Sequence, residues 1–142
     1  MVDWGVLRRT SIGERLRYSS PVVNFRRTAM DDTEQRGTKV KAGDKLMMFY
    51  GSGNRDADTF AAPDRFDVGR NPNPHMAFGG GGPHLCLGIH VARIEIAAML
   101  RELLTRVPDL APAGEPEVLA SNFIAGVRTA PGTLNPRQPV RV

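Results

Sequence analysis

Cysteine, aromatic side chains and long apolar runs are all scarce in this chain of 142 residues, and each scarcity excludes something. The lone cysteine, Cys86, rules out an internal disulfide and any zinc site made of several thiolates. No apolar stretch approaches the roughly 20 residues that cross a bilayer, so no membrane span is expected. Segment 1–9 lacks the apolar core of a secretion signal, because Trp4, Val6 and Leu7 sit among charges. A cytoplasmic, reducing setting is the resulting expectation. Aromatics make up only 6% of residues and Lys and Arg form no tract, which removes both the stacking platform and the basic stripe of a nucleic-acid-binding domain. The net charge of +4 is interleaved with acids, as where Arg26 and Arg27 precede Asp31, Asp32 and Glu34. That pattern reads as a solvated basic surface, with docking of an acidic protein as its remaining use.

What the chain does contain is 41% hydrophobic residues, enough for one domain's core, with 15 Gly and 11 Pro that predict a loop-rich fold. Residues 11–18 (SIGERLRY) predict a helix, with Ser11 as N-cap and Glu14 at the capping-box spacing. Pro21 stops it. Residues 21–50 predict strands, including a hairpin-like turn at Ala42-Gly43-Asp44 between 38–41 and 45–50. Residues 51–85 have no period and hold Pro63, Pro72, Pro74 and Pro83; so long a structureless stretch is commonly functional. Residues 86–107 predict the clearest helix, with Leu87, Val91, Ile94, Ala98, Leu100 and Leu104 near one face and Pro108 at its end. Residues 108–142 predict short strands and turns. The fold class is α+β.

The stretch Phe78-Gly79-Gly80-Gly81-Gly82-Pro83-His84-Leu85-Cys86-Leu87-Gly88 is the most informative. Four successive glycines are conformationally costly, so an ordered loop there needs positive φ angles or a ligand close to the backbone. A Walker loop would need Lys followed by Ser or Thr, which are absent, and Pro83 and Cys86 suit a dinucleotide fingerprint poorly. Placed at the start of a helix, Cys86 is favoured as thiolate. A thiolate among glycines that admit a large planar ligand suits a haem iron.

On these residues the chain resembles the cytochrome P-450 family, whose haem loop reads Phe-x-x-Gly-x-x-x-Cys-x-Gly. Gly82, Cys86 and Gly88 match, and Phe78 lies one residue farther from the cysteine, as in members that resemble actinobacterial steroid and lipid hydroxylases. Glu14-x-x-Arg17 matches the family's ion-pair helix, and Pro63-Asp64-Arg65-Phe66 resembles the segment that supplies a third member. The resemblance implies haem b as cofactor, held by Cys86 as axial ligand to the iron and cradled by Phe78, Gly79, Gly82 and Gly88. It implies that Arg27, with Arg26 as the neighbouring candidate, and His84 hold the propionates. It implies an ion network of Glu14, Arg17 and Arg65, and a substrate border made of Val22, Val23, Asn24, Phe123 and Ile124. His75 and His90 match nothing ligand-like.

The fold so implied is an α+β fragment of the mainly-α P-450 fold, with residues 1–142 forming its C-terminal part. Its pieces are an ion-pair helix (11–18), a small β-sheet (21–50), a meander and cysteine loop (51–85), a long haem-proximal helix (86–107) and a C-terminal β-hairpin (108–142). The implied function is insertion of one oxygen atom of O2 into a lipophilic, steroid- or lipid-like substrate, with electrons from a ferredoxin or flavoprotein docking near Arg70 or Arg93. Residues 11–142 match only about the last third of the family's chain, and its distal helix, with the acid–alcohol pair that delivers protons, has no counterpart. No catalytic residue is therefore expected within this chain. It reads as a truncated or split product, or a fragment, whose proximal helix presents apolar surface to water. The alternative is an inactive remnant that binds haem weakly or not at all.

Overall fold

The computed structural model describes residues 4–134, the first six of them by backbone alone. Residues 1–3, and the 135–142 end of the expected C-terminal β-region, lie outside the described residues.

Helix α1 runs from Trp4 to Ser19, seven residues earlier than the sequence expectation at its start. Ser11 is therefore no N-cap: it lies inside the helix and is buried. α1 is enclosed on two sides. Ile12 and Leu16, one turn apart, pack with Ala77 and against Phe78, Ile96, Ala97 and Leu100. Glu14 and Arg17, on another flank, are fully buried under the 51–76 segment. Each such aliphatic side chain stabilises the fold by roughly 1.5–3 kcal/mol.

The β-region is two ladders. Strand β1 (Asn24–Thr28) pairs antiparallel with β4 (Lys45–Phe49), from Asn24 opposite Phe49 to Thr28 opposite Lys45. Between them β2 (Thr33–Gln35) and β3 (Thr38–Val40) form a hairpin across Arg36 and Gly37, whose φ angles of 46° and 79° suit a two-residue primed turn. This corrects the expected hairpin at Ala42-Gly43-Asp44. That turn joins β3 to β4 in different ladders, because carboxylates of Asp44 and Asp32 accept the Lys41 and Ala42 N–H groups and redirect the chain. A single helical turn, α2 (Tyr50–Gly53), follows β4.

The expected proximal helix is α3 (Ile89–Arg106), ended before Pro108. Cys86 and Leu87 precede it in a turn, and Leu87 is 99% exposed. The apolar face foreseen for this helix is mostly in the open, with Val91 58% and Ile94 69% exposed. Of that face Leu100 does pack on the core, together with Ile96 and Ala97. Beyond α3, β5 (Ala111–Pro112) pairs with β8 (Gly132–Thr133), and nested inside them β6 (Glu117–Val118) pairs with β7 (Val127–Thr129). The C-terminal hairpin is thus present as two ladders. Among the described residues no helix is long and apolar enough to cross a membrane.

Candidate functional site

The segment that leads to the cysteine loop is anchored by a buried charge cluster. Both Glu14 and Arg17 side chains have no solvent exposure. Arg17 donates from Nε and Nη2 to the Glu14 carboxylate, each at 2.8 Å. Its other hydrogens go to carbonyls of Asn54, Pro63 and Arg65 at 2.7, 2.8 and 3.1 Å. Glu14 also accepts from the Asp67 N–H at 2.9 Å, from Arg70 Nε at 3.1 Å and from Asn73 Nδ2 at 3.1 Å. Burial alone would raise the Glu14 carboxyl, but these donors and the arginine charges outweigh it and draw the carboxyl from 4.5 down to about 2. The same hydrogen bonds to Glu14 push Arg17 upward. The cluster is a permanent ion pair that ties α1 to the loop segment.

The third member of the ion network is Arg70, which corrects the expectation for Arg65. The Arg65 side chain is exposed, and its contribution is a carbonyl that accepts from both Arg17 and Arg70. The chain turns tightly there, with Arg65 N–H donating to Ala62 at 3.0 Å, so backbone oxygens rather than the guanidinium face inward. With only 9% of its side chain exposed, Arg70 is no surface docking group; Arg93 remains exposed.

Sequence reasoning also missed Asn54. It is fully buried, donates through Nδ2 to Ser20 Oγ at 2.9 Å and accepts the Met76 N–H on Oδ1 at 2.6 Å. It thereby links the end of α1 to the segment leading into the cysteine loop. An asparagine in an aperiodic run carries no signal of this; only its position one residue after a helical turn hints at a cap.

The loop itself closes on one hydrogen bond. Cys86 N–H donates to the Phe78 carbonyl at 3.0 Å. The extra residue between Phe78 and the cysteine is absorbed by left-handed glycines: Gly79, Gly81 and Gly82 have φ of 89°, 93° and 68°. Phe78 is half-buried, and the Arg93 guanidinium lies 5.5 Å over its ring. Cys86 is exposed, and a Cβ built on Gly81 or Gly82 meets nothing within 4 Å, so this side of the loop is open. Gly88 lies where an added Cβ would come within 3.9 Å of Cys86 Sγ.

Beside the loop is a cleft of 360 Å³ whose lining includes Arg27 and His84, together with Met48, Phe49, Tyr50 and Met76. Arg26, by contrast, is exposed and does not line it. Strand alternation explains the choice: Arg27 shares a face of β1 with Phe25, which packs on Tyr50 of the cleft wall at 6.0 Å. Two basic donors over an apolar floor, with an exposed thiol two residues along the chain from one of them, suit an apolar macrocycle that carries two carboxylates and an iron.

A family model described as cytochrome P450 matches residues 7–124. The chain belongs to the cytochrome P450 family. It is 50% identical over 131 residues to the methyl-branched lipid omega-hydroxylase of Mycobacterium tuberculosis (strain ATCC 25618 / H37Rv), covering 92% of this chain and 31% of that protein. It is 41% identical over 120 residues to the steroid C26-monooxygenase of Rhodococcus jostii (strain RHA1), covering 84% of this chain and 26% of that one. Its structure matches a Mycobacterium marinum cytochrome P450 solved in complex with pseudoionone, with TM-score 0.88 and 45% identity over 92% of this chain and 31% of the other. The chain thus spans between about a quarter and a third of the length of these curated relatives.

In P450 terms, the two segments expected to border substrate are joined in this chain. Val22 and Ile124 form a β-bridge, Val23 N–H donates to the Phe123 carbonyl at 2.9 Å, and Asn24 Nδ2 donates to the Asn122 carbonyl at 2.8 Å. Phe25 and Phe123 meet edge-to-face at 5.4 Å. The sequence pattern located both segments but said nothing of this pairing across about a hundred residues.

Proposed function

We propose that this chain is the haem-ligating part of a P450 monooxygenase that hydroxylates a lipophilic substrate. The observation that carries the reading is the open glycine loop: an exposed thiol beside a cleft lined by Arg27 and His84. Cys86 ligates the iron of haem b, and Phe78, Gly79, Gly82 and Gly88 leave room for the ring. Arg27 and His84 hold the propionates by charge-assisted hydrogen bonds. When bound, a thiolate-ligated haem supplies the O–O bond cleavage needed to place one oxygen atom in a C–H bond.

The chain's own residues bind, orient and shield. The Glu14–Arg17–Arg70 cluster holds the loop, and Val22, Val23, Asn24, Phe123 and Ile124 border the substrate. An apolar border of this kind, and relatives named for methyl-branched lipids and steroids, support a lipid- or steroid-like substrate. Electrons come from a ferredoxin or flavoprotein that approaches the cysteine side, where Arg93 is available.

The test is haem titration of the chain, followed by reduction and carbon monoxide. A red-shifted Soret band that is lost in Cys86→Ala is the expected result. No haem uptake, or an unchanged band in Cys86→Ala, would overturn the assignment. A second reading, a haem-binding or haem-free remnant without catalysis, is favoured by the open apolar face of α3. Turnover of a lipid with a surrogate peroxide oxidant separates the two.

A further inference from the structure

His75 has no ligand-like spacing in the sequence, yet it lies at the foot of the cysteine loop. Its ring is half-buried and packs against Phe78 with centroids 6.0 Å apart. Arg93 from α3 also stands over Phe78, 5.5 Å from the ring centroid. The His75 ring also lies beside Gly13 of α1, where an added Cβ would come within 3.9 Å of Cδ2 and Nε2. Its Nδ1 accepts the Ala77 N–H at 3.3 Å, and the backbone N–H of His75 donates to the Asn73 carbonyl at 2.9 Å. Ala77 is buried in the core between α1 and α3, and the next residue, Phe78, offers the carbonyl that receives the Cys86 N–H.

We infer that His75 is a positioning residue for the cysteine loop: its neutral ring fixes the backbone of Ala77 and Phe78, and through the Phe78 carbonyl it sets where Cys86 stands. The functional importance of that placement rests on the reading of Cys86 as the thiolate ligand. An imidazole accepting at Nδ1 is the Nε2–H tautomer. Its surroundings favour that neutral form, since burial lowers the ring's proton affinity and the Arg93 charge lowers it further. Arg17 acts in the same direction and Glu14 in the opposite one. The ring serves as a backbone cap for a segment that has no ladder partner, and as a spacer that keeps Phe78 pressed under Arg93.

Hydrogen exchange on the 142-residue chain tests this without any cofactor. The amide of Cys86 reports the loop, and the amide of Ser20, which donates to the Leu16 carbonyl at 3.0 Å, reports global opening at the end of α1. His75→Leu keeps the bulk and loses the acceptor; His75→Asn keeps an acceptor oxygen on a short side chain. The expected result is a loss of Cys86 protection in His75→Leu of about tenfold relative to Ser20, the scale of one hydrogen bond, with most of it restored in His75→Asn. Unchanged Cys86 protection in His75→Leu, or equal losses at both amides in both variants, would overturn the inference. If His75→Leu does not fold, His75→Asn decides: wild-type protection at Cys86 supports the acceptor role, and a loss confined to Cys86 refutes it. Haem titration of the same proteins keeps the two ideas apart. Absent haem uptake with a clear His75 effect refutes only the ligand reading, and haem uptake with no exchange effect refutes only the positioning role.

Discussion

Glu14→Gln removes one charge and little volume from a fully buried site. In the wild type five donors converge on the carboxylate: Arg17 Nε and Nη2, the Asp67 N–H, Arg70 Nε and Asn73 Nδ2. A glutamine turns half of the acceptor into an NH2 group that faces these donors, and it leaves the buried Arg17 without a counter-charge. A carboxyl drawn from 4.5 to about 2 contributes on the order of 2–3 kcal/mol to folding at neutral pH, the lower end allowing for solvent near Arg70. Breaking a buried pair from one side costs about 3–5 kcal/mol in general. Glu14→Gln is therefore expected to lose about 3 kcal/mol in urea unfolding followed by far-ultraviolet circular dichroism, with an unchanged denaturant slope. The pH dependence is the sharper measurement. The folded carboxyl releases its proton more readily than the unfolded one, so this contribution is complete above pH 4.5 and disappears as pH falls toward about 2. The variant lacks that acid-sensitive part. It keeps the one from His75, also depressed in the fold, which is complete above 6.5 and declines below it. Superimposable acid curves for wild type and variant, or a loss under about 0.5 kcal/mol at neutral pH, would refute the reasoning.

Two other substitutions separate the structure from the sequence expectation. Arg70→Gln should cost roughly 1–3 kcal/mol, because it leaves part of a buried carboxylate and three carbonyls short of donors, whereas Arg65→Gln should stay within about 0.5 kcal/mol. Equal effects in chemical unfolding would argue for Arg65 as a member of the ion network after all. Gly79→Ala places a Cβ 3.2 Å from the His84 carbonyl at a φ of 89°, a strain of order 1–3 kcal/mol. It should lower the thermal midpoint and speed alkylation of Cys86, the only thiol, while an unchanged alkylation rate would separate Gly79 from loop order.

The family pattern of the loop was legible in the residues because it is local. Phe78, Gly82, Cys86 and Gly88 lie within one short stretch, and Glu14 and Arg17 share a helix face by their spacing alone. Pro21 and Pro108 likewise marked the C-terminal ends of α1 and α3 to within a few residues. The tertiary structure decided what depends on how distant segments close on each other. The tight turn at Arg65 sends its carbonyl inward and leaves Arg70 to reach Glu14, a choice that two arginines in an aperiodic run do not announce. Which face of α3 is covered depends on where α1 and Ala77 pack, so the apolar stripe through Val91 and Ile94 pointed to the open side. Val22 meets Ile124, and Arg93 meets Phe78, only because long-range packing brings them within reach. Identity and spacing set what Cys86 can bind; backbone direction and burial set which neighbours hold it in place.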